Sequence, residues 1–155
     1  NTIQVNFIGA SSLTNTSGTN TLTLSNSYTG GTTIAGGELI SSNVYGLGSA
    51  NGTVAISGSG ILDLGGTNQQ QASVTLNGGT VQNGTLTNTA FIGSSGNNTT
   101  TAKLAGNGSV SNNGGTNTLS GSNSYTGNTF VSGGSIVTAN NNGLGSSGNT
   151  VYLTN

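Results

Sequence analysis

The chain has 155 residues, of which 29 are Gly, and it contains no Pro, Cys, Met, Trp or His. Its charged residues are Glu38, Asp63 and Lys103, and its formal net charge is −1. A single Lys argues against nucleic-acid binding, which depends on basic residues. With two carboxylates and no His or Cys, neither a metal site nor a cofactor is expected. The low net charge and the recurring Val, Ile and Leu also argue against a disordered chain.

Short runs that alternate apolar with small polar residues follow one another along the whole chain. This period of two predicts strands with one buried face. Gly-Gly and Asn-Gly pairs separate the runs and accept the positive φ of tight corners. The charged residues stand beside these apolar positions, so all three are expected to point outward. The positions expected to face inward are Ile3, Val5, Phe7, Leu22, Leu24, Val54, Ile56, Leu62, Leu64, Val74, Leu76, Ala102, Leu104, Val151 and Leu153.

One stretch of the chain returns at an offset of 97 residues, which holds without a gap from Gly18 to Ile56. It defines two repeat copies, residues 18–56 and 115–153. An internal period of this kind predicts stacked structural repeats. The motif positions are Asn26, Tyr28, Gly30, Gly36 and Gly37 in the first copy and Asn123, Tyr125, Gly127, Gly133 and Gly134 in the second.

Strands of about four residues, corners of two to four and no helical stretch predict an all-β fold. A sandwich or barrel usually has longer strands, so a coil of short strands, a β-helix, fits better. Ninety-seven residues would hold four or five rungs of roughly 20–24 residues, and residues 1–155 about seven in a single segment. Leu22 and Leu119 should then lie buried on one wall, four or five rungs apart.

These motifs resemble a known family. The run from Gly18 through Asn26-Ser-Tyr-Thr-Gly-Gly to Leu39, and its second copy from Asn123 to Ile136, look like the passenger-associated repeat of bacterial autotransporters. The stretch from Gly60 to Val81 is similar to another common passenger segment. The resemblance covers most of residues 18–155. It implies a right-handed parallel β-helix, exported to the bacterial cell surface or the extracellular space, as part of a longer repeat protein with adhesin-like character.

Two sets of residues are candidates for a site. Tyr28 and Tyr125 are either recognition aromatics or, as we favour, rings packed over a rung corner with solvated hydroxyl groups. Glu38 and Asp63 could form the carboxylate pair of a glycosidase. Their separation along the chain does not obviously place them on one rung face, and the chain has no His or Arg to tune either pKa. We therefore expect no enzymatic activity.

The sequence favours a structural and adhesive segment of a stalk or fibre, which self-associates through Thr, Asn and Ser hydrogen bonds. The alternative is a module that binds carbohydrate, such as a glycan surface, or ice through flat Thr arrays. The Thr runs that motivate this alternative do not recur at the spacing of one rung. They are Thr21 and Thr23, Thr85 and Thr87, and residues 99–101.

No apolar stretch approaches the roughly 20 residues of a membrane helix, so this segment is not expected to insert into a membrane.

Overall fold

The computed structural model describes residues 1–154 of the expected segment 1–155; Asn155 lies outside the described residues. Those residues form seventeen strands and no helix. Most are short, but Asn68–Asn77 has 10 residues and Thr85–Ser95 has 11, so the expectation of about four residues per strand is wrong for these two. The strands are β1 (Thr2–Ile3), β2 (Leu13–Asn15), β3 (Thr19–Leu22), β4 (Thr32–Ile34), β5 (Glu38–Ser41), β6 (Thr53–Ser57), β7 (Ile61–Asp63), β8 (Asn68–Asn77), β9 (Thr80–Gln82), β10 (Thr85–Ser95), β11 (Asn97–Thr100), β12 (Lys103–Ala105), β13 (Ser109–Asn112), β14 (Thr116–Leu119), β15 (Thr129–Val131), β16 (Ser135–Thr138) and β17 (Val151–Leu153).

The strands form two parallel sheets. Sheet A has eight strands in the order β1-β3-β5-β7-β9-β11-β14-β16, and sheet B has nine, β2-β4-β6-β8-β10-β13-β15-β17 with β12 beside β10. Each circuit of the chain adds a strand to both sheets, which makes a right-handed parallel β-helix of about eight turns. The predicted fold is confirmed, with one turn more than the expected seven. Most turns are slightly shorter than expected, since Leu62, Val81, Thr100 and Leu119 pair in succession at equal intervals along the chain.

The core is a column of apolar, mostly aliphatic side chains enclosed by the two sheets. Alternation along each strand places these side chains inside and their neighbours outside, as predicted. The expectation is wrong for Val5, Leu24, Val151 and Leu153, which are 60%, 37%, 42% and 77% exposed. Val5 and Leu24 lie beyond the ends of β1 and β3, and β17 is the outermost described strand of sheet B. The core includes Leu22, Ile34, Leu39, Val54, Ile56, Leu62, Leu64, Val74, Leu76, Val81, Leu86, Phe91, Ala102, Leu104, Val110 and Leu119.

The two repeat copies are in register with each other on sheet B, but they are shifted by two residues on sheet A. Leu22 and Leu119 are both buried on sheet A, five strands apart, as predicted. Leu119 nevertheless shares its register column with Asn20, two positions before Leu22, through Thr100, Val81, Leu62 and Leu39. On sheet B the copies are in register, because one column runs through Thr32, Val54, Val74, Phe91, Val110 and Thr129.

The charged residues differ in exposure. Lys103 is exposed, Glu38 is half-buried and Asp63 is only 9% exposed. Asp63 alternates with the inward Leu62 and Leu64 and is covered on the outer face by polar neighbours. Within residues 1–154 no helix is long and apolar enough to cross a membrane.

Candidate functional site

The first motif position is a buried Asn that joins three successive turns. Asn123 Oδ1 accepts the backbone N–H of Leu104 at 2.8 Å, and its Nδ2 donates to the carbonyl of Gly143 at 2.7 Å. Asn26 repeats the arrangement with Phe7 N–H at 2.8 Å and the Gly46 carbonyl at 2.7 Å. Each amide thus pairs backbone groups of the turn before and the turn after, which would otherwise be buried without partners.

The second motif position is a Tyr whose hydroxyl is buried, which corrects the expected solvated hydroxyl. Tyr28 and Tyr125 are each 1% exposed. Tyr28 shares a hydrogen bond of 2.6 Å with Thr32 Oγ1, and Tyr125 one of 2.8 Å with Thr129 Oγ1. Burial raises the pKa of both phenols above the ordinary 10.0, and the Thr hydrogen bonds only partly oppose this. Neither ring is available as a recognition aromatic.

The turn above each Tyr closes over its ring. A Cβ on Gly48 would come within 2.7 Å of the Tyr28 carbonyl oxygen and 3.0 Å of its ring, and Gly145 stands in the same relation to Tyr125. The positive φ of both residues, 79° and 80°, favours Gly as well. The sequence identity of Gly48 and Gly145 between copies could have revealed this role.

The motif glycines let successive turns approach closely. Gly37 and Gly134 have φ of 66° and 67°, and a Cβ on either would collide with the backbone of the turn below. A Cβ on Gly30 would lie 2.6 Å from the Ser11 carbonyl oxygen. The other motif glycines, Gly36, Gly127 and Gly133, likewise face the backbone of the preceding turn.

A second pair of buried Asn residues was missed in the sequence. Asn112 Nδ2 donates to the carbonyl of Gly133 at 2.7 Å, and its Oδ1 accepts from Asn117 Nδ2 at 2.8 Å. Asn15 and Asn20 form the same pair in the first copy, with Asn15 Nδ2 bound to the Gly36 carbonyl. Asn15 and Asn112 precede the repeat bounds 18–56 and 115–153, although they obey the same offset.

Between the two copies, Gln replaces the Asn and Tyr. Gln69 is 1% exposed, and its Nε2 donates to the Asn43 carbonyl at 2.7 Å and to Thr67 Oγ1 at 2.6 Å. Gln71 is 2% exposed and reaches the Leu47 carbonyl at 3.4 Å. These amides also connect a turn to the loop of the turn before it. The motif Asn side chains thus form hydrogen bonds between turns, the motif Tyr hydroxyls bond a Thr of their own turn, and the motif glycines let neighbouring turns approach closely.

Glu38 and Asp63 lie on one face after all, which corrects the expectation from their spacing. Gln82 Nε2 donates to Asp63 Oδ2 at 3.0 Å and to Glu38 Oε1 at 3.4 Å. Asp63 Oδ1 also accepts from Gly65 N–H at 2.7 Å and from Asn83 Nδ2 at 2.9 Å. The pairing of β5 with β7 brings the two acids to neighbouring strands. Within residues 1–154 no cluster of three His, Cys, Asp or Glu could hold a metal ion.

The Thr runs divide between the sheets: Thr21 and Thr99 lie on sheet A, and Thr85 and Thr87 on sheet B. The expectation that none recurs at rung spacing is wrong for Thr99, which pairs with Thr80 below and Thr118 above. We name the outward side chains of Thr80, Thr99 and Thr118, with the adjoining column of Asn97, Thr116 and Ser135, the Thr face.

The fold and its amide contacts define a repeat protein of the parallel β-helix class. Three segments, residues 16–40, 57–82 and 112–137, match the family described as passenger-associated-transport-repeat. Each contains strands from sheet A, sheet B and sheet A again. Comparison with curated proteins and with solved structures gave no match. The chain carries three passenger repeats, as in autotransporter passengers, which confirms the resemblance of both copies. The middle match coincides with the stretch from Gly60 to Val81.

Proposed function

We propose that the chain is a structural and adhesive segment of a passenger on the bacterial cell surface or in the extracellular space, which self-associates through its Thr face. The passenger repeats support the location, because passengers are secreted. The segment would act by spacing and by presenting a long polar surface. We propose no catalytic role, because Asp63 accepts three hydrogen bonds and shares Gln82 with Glu38, the other acid.

The observation that carries self-association is the Thr face itself. Its columns are in register over three strands and contain no charged side chain. Ser135 Oγ and Thr116 Oγ1 lie 3.2 Å apart and hydrogen-bond along the column. A second copy would meet a regular array of hydroxyl groups, which both donate and accept, without bringing like charges together.

Light scattering and sedimentation of the full chain over a wide concentration range would test this proposal. The expected result is a mass that increases with concentration. Thr99→Glu should weaken association, because a carboxylate on the Thr face opposes the same carboxylate on a second copy. The control is Asn141→Glu, which adds the same charge at an exposed loop position. A monomer at every concentration, or equal effects of both variants, would overturn the proposal.

Ice or carbohydrate binding by the Thr face is a second candidate function, favoured by the register of Thr80, Thr99 and Thr118. The regular spacing of hydroxyl groups in two dimensions is its physical basis. Inhibition of ice recrystallisation by the wild-type chain, lost in Thr99→Glu, would support ice binding. A shift of mass with concentration but no effect on ice would leave self-association as the function of the face.

A further inference from the structure

We propose that a groove between the loop 42–52 and the starts of β8 and β10 binds a neutral saccharide, a site separate from the Thr face. The groove has a volume of about 320 Å³. Its wall contains Val44 and Tyr45, and its floor the outward side chains of Asn68, Gln70 and Thr87. A smaller cavity of about 100 Å³ continues it, with Ala50, Gln70 and Thr87 in common.

The loop that forms the wall belongs to the longest turn of the coil. Among the paired residues of the described strands, the step from Leu39 to Leu62 is the longest, and the step from Val74 to Phe91 on sheet B is the shortest. The groove is lined by that loop and by the starts of β8 and β10, which pair across the shortest step. Turns of unequal length, which a strictly regular β-helix does not have, therefore meet at this groove.

The exposed apolar side chains of the loop are not required by its fold, because the second copy builds the same loop without them. Tyr45 N–H donates to Asn43 Oδ1 at 3.0 Å, and Asn142 N–H to Asn140 Oδ1 at 2.9 Å. The turn bond from the next Gly to the carbonyl of the same Asn is also present in both, at 2.8 and 3.1 Å. Asn141 and Asn142 thus occupy the positions of Val44 and Tyr45.

Tyr45 is 64% exposed and Val44 48%, which leaves two adjoining apolar surfaces in water at a place where the backbone accepts Asn. An aromatic ring beside apolar carbon suits the C–H face of a sugar ring, and its hydroxyl remains free for a polar contact. This combination of a flat apolar wall and a polar floor is typical of a site that binds a saccharide and not of one that binds an apolar peptide.

The floor supplies uncharged hydrogen-bonding groups. Within residues 1–154 the amide of Gln70 has no hydrogen-bond partner, while Asn68 uses only its Oδ1, which accepts from Thr87 at 3.1 Å. Hydroxyl groups donate and accept at once and match such a mixed set, and the absence of charge in the lining disfavours an ionic ligand.

The test is titration of the ¹⁵N-labelled full chain with neutral tetrasaccharides, cellotetraose and the tetramer of N-acetylglucosamine. At least one should give saturable shifts at the side-chain amides of Asn68 and Gln70 and at Tyr45. Tyr45→Asn should weaken binding at least tenfold without a change in Tm, because the second copy already carries Asn there. The matched control Tyr152→Asn removes another exposed Tyr and should leave binding unchanged.

Shifts that do not saturate, equal losses in both Tyr variants, or no shifts with either sugar at millimolar concentration would overturn the site. A lowered Tm in Tyr45→Asn would show that the Tyr45 ring stabilises the loop and is not there to bind a ligand. Gln70→Ala provides a second variant from the floor, with an expected loss of affinity and an unchanged Tm.

Discussion

Asn123 and Asn26 show how single side chains hold turns together. Each amide pairs an N–H from the turn before with a carbonyl from the turn after. A Gly-rich chain with few large side chains has little apolar surface with which to hold its corners. The buried amides supply directional contacts there, and their position in the repeat explains why the motif returns.

Asn123→Ala should lower the free energy of unfolding by about 2–4 kcal/mol, because it leaves Leu104 N–H and the Gly143 carbonyl buried without partners. Asn97→Ala is the control: that side chain is exposed and makes no hydrogen bond among the described residues, so the change should stay within about 0.5 kcal/mol. Denaturant unfolding of both variants measures the difference. Similar losses would contradict the bridging role.

The buried tyrosines predict a loss of stability in alkali. Their raised pKa means that the folded state keeps both phenol protons above pH 10, where the unfolded chain releases them. This contribution is therefore fully present below pH 10 and falls as the pH rises further. The double variant Tyr28→Phe/Tyr125→Phe should show a flatter decline in unfolding free energy above pH 10 than the wild-type chain. Parallel curves for the two proteins would refute the assignment.

At the scale of the strand, alternation decides which substitutions matter. Leu62 and Val74 lie in the core with no exposed surface, and Thr75, next to Val74, points outward. Strand ends are less predictable from the pattern: Leu24 continues the alternation of β3, but the chain has already turned a corner. The alternation of apolar and polar residues predicts burial correctly within strands that are hydrogen-bonded to a neighbouring strand on each side.

Leu62→Ala should therefore destabilise the chain by about 2–5 kcal/mol, through lost burial and the cavity it leaves. Thr75→Ala, on the outer face, should cost less than about 1 kcal/mol. Hydrogen exchange of the same variants should show the effect of Leu62→Ala in β5, β7 and β9, because each turn contacts only its neighbours. Equal destabilisation by the two changes would contradict the assignment of Leu62 to the core and of Thr75 to the outer face.

At the scale of the whole molecule, the near-absence of charge restricts how the proposed self-association would work. Glu38 and Asp63 accept hydrogen bonds from Gln82, which leaves Lys103 as the one exposed charged side chain among residues 1–154. The proposed contacts between copies would then rest on hydrogen bonds and backbone rather than on ion pairs. This property follows from composition and does not depend on which face is used.

Self-association should consequently change little between 0.1 and 1 M salt, although the Debye length falls from about 10 to about 3 Å. Sedimentation at fixed protein concentration across this range measures it. The Thr99→Glu variant provides the contrast, because the residual association of a charged face should respond to salt. A steep salt dependence of the wild-type chain would refute the proposed mechanism.

The sequence by itself determined the β-helix, the inward positions of most strands and the repeat motif. These depend on local alternation, on turn residues and on an offset that is visible in one dimension. Only the tertiary structure showed the burial of the Tyr28 and Tyr125 hydroxyls, the pairing of Asn15 with Asn20, the approach of Glu38 to Asp63 and the groove beside Tyr45. Each depends on which residues of successive turns meet, and the turns differ in length along the coil. Small differences in turn length accumulate along the axis, so contacts between turns cannot be read from spacing alone.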